Sequence, residues 1–191
     1  MDNKIVDLIK AGKVGIIPTD TLYGLVGSAL NKETVERIHH LKKRSEAKPF
    51  IILISSLEDL KLFNIQVSKK IKGLLERVWP NPVSVILPCP EDKFTYLHRG
   101  TKSLALRIPK DQKLLEILQQ TGPLVAPSAN PEGKPPAQTI EEAKNYFGGS
   151  IDFYVNGGKL SNQPSTLIKV KNNHIITLRE GAFKSYQSLI S

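Results

Sequence analysis

Residues 14–25 read Val-Gly-Ile-Ile-Pro-Thr-Asp-Thr-Leu-Tyr-Gly-Leu, an apolar run followed at once by proline and hydroxyl residues. The β-branched start predicts a buried strand, and Pro18 predicts its end. Open α/β sheets bind ligands beyond the ends of their strands. Four polar side chains that could hydrogen-bond a ligand follow on the predicted loop: Thr19, Asp20, Thr21 and Tyr23. The same residue types are common in ordinary turns, so the stretch by itself leaves both interpretations open.

Predicted helices and strands alternate along the whole chain. Apolar runs predict strands over residues 14–17, 49–54, 83–87, 104–108, 123–126, 165–170 and 174–178. Amphipathic spacing predicts a helix near residues 32–42 and others that end before Gly12, Trp79, Gly122 and Gly148. Residues 89–102 are predicted as a loop. The order predicts one α/β domain built on a mixed sheet over residues 1–183, followed by a C-terminal tail at residues 184–191.

The composition narrows the class of protein. The chain has 191 residues, a formal net charge of +9, one cysteine and four histidines. A single cysteine excludes an internal disulfide framework and a multi-cysteine zinc site, and it is typical of a reducing compartment. No metal-ligand spacing, leader-like N-terminus or long apolar run occurs, so we expect a soluble cytoplasmic protein without a metal cage or membrane contact. The charge favours nucleotide phosphates or nucleic acid as partners, although many basic proteins are merely soluble.

A cluster of cations lies between a predicted helix end and a predicted strand start, in Lys42-Lys43-Arg44-Ser45-Glu46-Ala47-Lys48. These side chains could simply complement the negative end of the helix dipole. They could instead bind phosphate, because arginine offers a bidentate fork and lysine a point charge for a leaving pyrophosphate. The sequence leaves both interpretations open.

Three further segments place polar side chains at predicted strand ends. Ser128 and Asn130 follow an apolar strand and supply hydrogen-bond donors, although Ser-Ala-Asn is also a common turn. Arg107 lies in an otherwise apolar strand and needs an anionic partner, which could be a protein carboxylate or a ligand carboxylate or phosphate. Ser165 and Arg179 repeat the pattern near the last two predicted strands.

Seven motifs, in this order, resemble the YrdC-like family: Pro-Thr-Asp-Thr-Leu-Tyr-Gly-Leu, Lys42-x-Arg44 before Lys48-Pro49, Trp-Pro-Asn-Pro-Val-Ser, Leu-Ala-Leu-Arg-Ile-Pro, Ser128-x-Asn130, Pro-Ser-Thr and Leu-Arg-Glu-Gly. The resemblance extends over residues 5–183, and the length is similar to that of the short single-domain bacterial form. It implies a twisted mixed sheet with helices around a positively charged concave cleft. The chain departs from the family at Ser45, where proline is common, and at Asn81, where glycine is usual.

The resemblance also implies an activity, that of the nucleotidyltransferase L-threonylcarbamoyladenylate synthase. Such an enzyme converts L-threonine, bicarbonate and ATP into threonylcarbamoyl-AMP and pyrophosphate, with Mg²⁺ on the triphosphate. Proteins of a threonylcarbamoyl-transferase complex would then modify a tRNA adenosine at N6, and direct binding of tRNA is left open. Two other functions also stay open: an RNA-binding module without synthase activity, and a carbamoyl-transfer domain like those of hydrogenase-maturation proteins.

Site residues follow from the resemblance position by position. The residues it places at ATP are Arg44, Lys48, Ser103, Ser128, Asn130 and Arg179. Those it places at threonine are Thr21, Arg107 and Ser165. In the Lys-x-Arg motif, Lys42 and Arg44 are expected to be catalytic, because they would neutralise the charge that develops on pyrophosphate.

Overall fold

A computed structural model describes residues 2–43, 49–171 and 174–184, and across these ranges nine strands form one mixed sheet in the order β7-β1-β2-β6-β3-β5-β4-β8-β9. The strands are β1 (Gly15–Pro18), β2 (Tyr23–Ser28), β3 (Ile51–Leu53), β4 (Val83–Pro88), β5 (Ser103–Arg107), β6 (Leu124–Val125), β7 (Phe153–Tyr154), β8 (Thr166–Lys171) and β9 (His174–Arg179). Parallel and antiparallel pairs both occur, which confirms the predicted mixed α/β sheet.

Six α-helices lie within the described ranges: α1 (Asp2–Lys10), α2 (Lys32–Lys42), α3 (Lys69–Val78), α4 (Thr95–His98), α5 (Gln112–Thr121) and α6 (Ile140–Phe147). Short 3₁₀ helices cover Leu57–Phe63, Asp92–Phe94 and Gly148–Ser150. The bounds of α2 agree with the prediction because its first turn is capped: Asn31 Oδ1 accepts a hydrogen bond from Thr34 N at 2.8 Å. No helix in the described ranges is long and apolar enough to cross a membrane.

Two predictions about local structure are wrong. Tyr23 does not lie on a loop but begins β2, which pairs antiparallel with β1 and is buried at five of its six positions. Burial on both faces removes the alternation by which a strand is recognised in sequence. Residues 89–102 are not simply a loop, because they hold α4 and a 3₁₀ helix that bury Phe94 and Leu97. Elements of three or four residues are too short to show a helical period.

The two faces of the sheet are covered to different extents. On one face a large core includes residues of α2, α3 and α6 packed against the strands. On the other face a smaller core joins α1 and α5 to β2, β3 and β6. The part of this second face formed by β5, β4 and β8 borders a cavity instead, at Ala105, Ile86 and Leu167. The fold therefore leaves an open cleft on one half of one face of the sheet.

Close packing of β2 against α2 gives the first testable prediction. A Cβ atom at Gly27 would lie 2.4 Å from Thr34 Cγ2 and 3.0 Å from Ile38 Cδ1. We expect Gly27→Ala to lower the free energy of unfolding by about 1–3 kcal/mol, since this interior cannot accept an added methyl group. Gly73→Ala is the matched control: it lies in α3 with nothing within 4 Å of the new Cβ.

Gly73→Ala should raise the free energy of unfolding by about 0.5–1 kcal/mol, because alanine loses less entropy in a helix than glycine does. Urea unfolding of both variants measures the two effects. A Gly27→Ala protein as stable as the wild type would contradict the packing described above.

Candidate active site

Polar and apolar groups meet in a cavity of about 340 Å³ on the open half of the sheet. Five of the side chains predicted to be functional line it: Thr21, Arg107, Ser128, Ser165 and Arg179. A larger space of about 580 Å³ lies beyond Asp20, but its walls are mostly exposed side chains such as Lys110 and Asn162. We assign the site to the smaller cavity, because buried polar groups converge only there among the described residues.

The turn between β1 and β2 presents the first hydroxyl group. Thr19 Oγ1 donates to the carbonyl of Leu22 at 2.7 Å and accepts from the backbone N–H groups of Thr21 and Leu22 at 3.2 and 3.3 Å. The Thr21 hydroxyl lies 3.1 Å from Thr19 Oγ1, at the cavity wall. Thr19 therefore holds the turn, and Thr21 faces the ligand space.

Arg107 is the most unusual group of the site, a guanidinium only 4% exposed at the end of β5. Its Nη2 lies 3.1 Å from Asp20 Oδ1, and Asp20 Oδ2 accepts a hydrogen bond from Lys110 N at 3.1 Å. Among the described residues, Nε and Nη1 of Arg107 have no hydrogen-bond partner although both are buried. A protein carboxylate thus meets one side of the cation, and two donors are left for an anion in the cavity.

The charge state of Arg107 follows from its surroundings. Burial lowers the pKa of Arg107 below its ordinary value, Asp20 opposes that shift, and the positive charge of Arg179 adds to it. Asp20 thereby favours the charged form of the guanidinium in the cavity wall. An anionic ligand would stabilise the same form further.

Ser165 and Arg179 form a second wall of the cavity. Arg179 donates to the carbonyl oxygen of Ser165 from Nε at 3.2 Å and from Nη2 at 2.8 Å, and Nη2 lies 3.3 Å from Ser165 Oγ. The Ser165 hydroxyl is 2.9 Å from that of Ser84 on β4. Between β8 and β9 the register passes from Ile168–Thr177 to Leu167–Arg179 and skips Leu178. This irregularity sets Arg179, rather than Leu178, opposite a residue that lines the cavity.

Lys42 and Asn130 lie together just outside the cavity lining. Lys42 is 2% exposed, and its Nζ donates to the Ser128 carbonyl at 2.7 Å and to Asn130 Oδ1 at 3.1 Å. Asn130 Oδ1 also accepts from Ser128 Oγ at 2.6 Å, while Asn130 Nδ2 donates to the Lys134 carbonyl at 2.6 Å. The end of α2 is thereby tied to the segment that carries Ser128.

The remaining predicted residues are placed as follows. Ser103 begins β5 two positions before Ala105, on the strand face that lines the cavity, and its hydroxyl donates to Thr101 Oγ1 at 3.3 Å. Arg44 and Lys48 lie outside the described residues. No group of three or more His, Cys, Asp or Glu side chains in the described part of the chain is arranged to hold a metal ion.

The sequence reasoning missed one residue of the site, Ser84, and gave another, Asp20, a different role. Asp20 was expected to hydrogen-bond a ligand directly, but it pairs with Arg107. Ser84 carried a signal that could have been used: a serine in the apolar run Val-Ser-Val-Ile-Leu, where a strand position that packs against a core is rarely polar.

These features define a class of protein, an α/β domain whose open cleft presents buried hydroxyl and guanidinium groups. The family model Sua5/YciO/YrdC, described as "Telomere recombination", matches residues 7–181. The chain belongs to this family, which confirms the resemblance drawn from the seven motifs.

Curated proteins and a solved structure are similar to the chain over most of its length. Threonylcarbamoyl-AMP synthase of Pyrococcus abyssi is 33% identical over 91% of this chain and 52% of its own length. The protein of that name from Marinobacter nauticus is 33% identical over 85% of this chain and 87% of its own. The crystal structure of P. abyssi Sua5 complexed with L-threonine superposes with a TM-score of 0.87 at 31% identity, over 94% of this chain and 54% of that one. The chain thus spans about half the length of the P. abyssi protein.

Proposed function

We propose that the chain is an L-threonylcarbamoyladenylate synthase, which forms threonylcarbamoyl-AMP and pyrophosphate from L-threonine, bicarbonate and ATP. One observation carries the proposal: at a cavity lined by hydroxyls, the buried Arg107 guanidinium has two nitrogen atoms, Nε and Nη1, with no hydrogen-bond partner among the residues that the structure describes. A free amino acid offers a second carboxylate, beside that of Asp20, to accept from one of these nitrogens. Support comes from relatives that carry this name and from the P. abyssi structure described as a complex with L-threonine.

Threonine would bind at the inner end of the cavity. Its carboxylate would accept a hydrogen bond from Arg107, from either Nε or Nη1, and its polar groups would meet the hydroxyls of Thr21 and Ser165. Because Arg107 and Thr21 are 4% and 5% exposed, the ligand would be largely shielded from water there. Shielding strengthens charged hydrogen bonds and orients the amine for reaction.

ATP would occupy the outer part of the same cavity. In this proposal Ser128, Arg179 and Ser103 contact the nucleotide, together with Arg44 and Lys48. Asn130 supports Ser128 through the 2.6 Å hydrogen bond from Ser128 Oγ. Mg²⁺ would arrive on the triphosphate, held by phosphate oxygens and water.

The reaction would proceed in two steps. The threonine amine and bicarbonate form a carbamate with loss of water, and a carbamate oxygen then attacks the α-phosphorus as the bond to pyrophosphate breaks. Both reactants are anions, so the protein's main task is to neutralise charge and hold them in line. Arg107 and Arg179 supply positive charge at the threonine and nucleotide ends of the cavity, respectively. The product would be consumed by a threonylcarbamoyl-transferase complex acting on tRNA.

The proposal is tested by pyrophosphate release from ATP, Mg²⁺ and bicarbonate in the presence of threonine, serine or no amino acid. We expect release that depends on threonine and on bicarbonate. A folded protein that releases no pyrophosphate, yet binds tRNA with steep salt dependence, would contradict the proposal and favour the RNA-binding alternative, for which the net charge of +9 is the supporting observation.

A further inference from the structure

The residues at the start of β8 and the residues that follow β9 are joined by a set of contacts outside the cavity. Ala182 N donates to the Pro164 carbonyl at 2.8 Å. Thr166 Oγ1 accepts from Gly181 N at 3.1 Å and donates to the Phe183 carbonyl at 2.8 Å. We call these contacts between residues 164–166 and residues 181–183 the clasp.

The clasp brings two backbones into direct contact. A Cβ atom at Gly181 would lie 2.1 Å from the Pro164 carbonyl oxygen and 2.6 Å from the Ser165 carbonyl carbon. Both of these are backbone atoms, which cannot move aside as the end of a flexible side chain can. The clasp in this form therefore requires glycine at position 181.

Thr166 itself lies outside the cavity lining. Its neighbours Ser165 and Leu167 line the cavity, whereas Thr166 is fully buried and its hydroxyl is committed to the two clasp hydrogen bonds. The hydroxyl uses both its donor and its acceptor capacity, a combination that no apolar side chain of the same shape can reproduce. Thr166 is thus placed to act on the site only through other residues.

The clasp lies next to the cavity wall that Ser165 and Arg179 form. Ser165 adjoins Thr166 in sequence, and Arg179 lies two residues before Gly181. The bonds from the Arg179 guanidinium to the Ser165 carbonyl, at 2.8 and 3.2 Å, join the first of these segments to the end of β9, just before the second. Arg179 is exposed and stands on β9, the last strand of the sheet.

We propose that Thr166 is a positioning residue: its hydroxyl holds residues 181–183 against residues 164–166 and so fixes Arg179 and Ser165 at the cavity. The inference deepens the proposed function, on which its kinetic test rests. It assigns a role in ligand binding to a residue that touches neither ligand, and it explains why the family motif Leu-Arg-Glu-Gly ends in Gly181.

The matched variants are Thr166→Val, which keeps the shape and loses the hydroxyl, and Thr166→Ser, which keeps the hydroxyl. We expect Thr166→Val to raise the KM values for threonine and ATP by about 10- to 100-fold, because misplaced binding groups are costly. Thr166→Ser should retain the wild-type KM values. A merely structural role would lower kcat in proportion to the folded fraction and leave both KM values unchanged, and that result would overturn the proposal.

A readout independent of activity is hydrogen–deuterium exchange of the peptide that covers residues 179–184. Faster exchange in Thr166→Val than in wild type and Thr166→Ser is expected, since Gly181 N loses its acceptor. Equal exchange in all three proteins would overturn the clasp. This measurement needs no enzymatic activity, so it tests the clasp even if the wild type releases no pyrophosphate. Absence of pyrophosphate release would separately contradict the proposed function. Should Thr166→Val not fold, Gly181→Ala breaks the same clasp from the other segment and must give the same rise in KM.

Discussion

Replacing Arg107 by Gln is expected to raise the KM for threonine by about 10- to 100-fold, because a charge-assisted hydrogen bond of about 1.5–3 kcal/mol is lost. The KM for ATP should change far less, since no nucleotide contact is assigned to Arg107. Initial rates of pyrophosphate release at varied threonine measure the effect. The same variant should be less stable by about 3–5 kcal/mol, because Asp20 is left as an uncompensated buried charge.

A double variant separates binding from stability. Arg107→Gln combined with Asp20→Asn removes both buried charges, so it should recover most of the stability and none of the threonine affinity. Arg77→Gln, at an exposed position of α3, is the control for loss of a positive charge elsewhere. A wild-type threonine KM in Arg107→Gln, or recovery of that KM in the double variant, would contradict the assigned role.

Replacing Lys42 by Met is expected to lower the rate of pyrophosphate release by about 100-fold, comparable to the loss of one preorganised hydrogen-bond donor at an active site. Two roles for Lys42 make different predictions. Direct action on the leaving pyrophosphate is implied by the family motif, whereas its contacts with the Ser128 carbonyl and Asn130 Oδ1 indicate that it holds the Ser128 segment.

A double-mutant cycle of Lys42→Met with Asn130→Ala distinguishes these roles. Because the two side chains are in contact, we expect strong coupling, of about 0.5–3 kcal/mol, so that the double variant is little worse than the poorer single variant. Effects that simply add would contradict the positioning role and favour direct action of Lys42 on the phosphates. Thermal unfolding of each variant controls for loss of folded protein.

Local sequence patterns were sufficient to predict many of the helices and strands. The start of α2 was predictable because Asn31 caps it and apolar residues recur at helical spacing. Strand β2 was not, because it is buried on both faces and shows no alternation. The same limit applies to the short elements within residues 89–102, which carry no periodic signal.

Five of the predicted site residues line one cavity, but how they are arranged there was not predictable. An arginine in an apolar strand indicated a buried anion partner, yet only the fold shows that Asp20 meets one side of Arg107, while Nε and Nη1 have no partner within the described ranges. The clasp at Thr166 and Gly181 depends on two segments meeting across β8 and β9, a contact that no local pattern encodes.

The proposed function requires that this chain joins threonine, bicarbonate and ATP in one product. The most direct measurement is mass spectrometry of the nucleotide products after incubation with ATP, Mg²⁺, threonine and ¹³C-labelled bicarbonate. We expect threonylcarbamoyl-AMP that carries a single ¹³C atom, formed by the wild type and lost in Arg107→Gln at low threonine. An AMP product without the label, or no adduct from a folded protein that binds ATP, would contradict it.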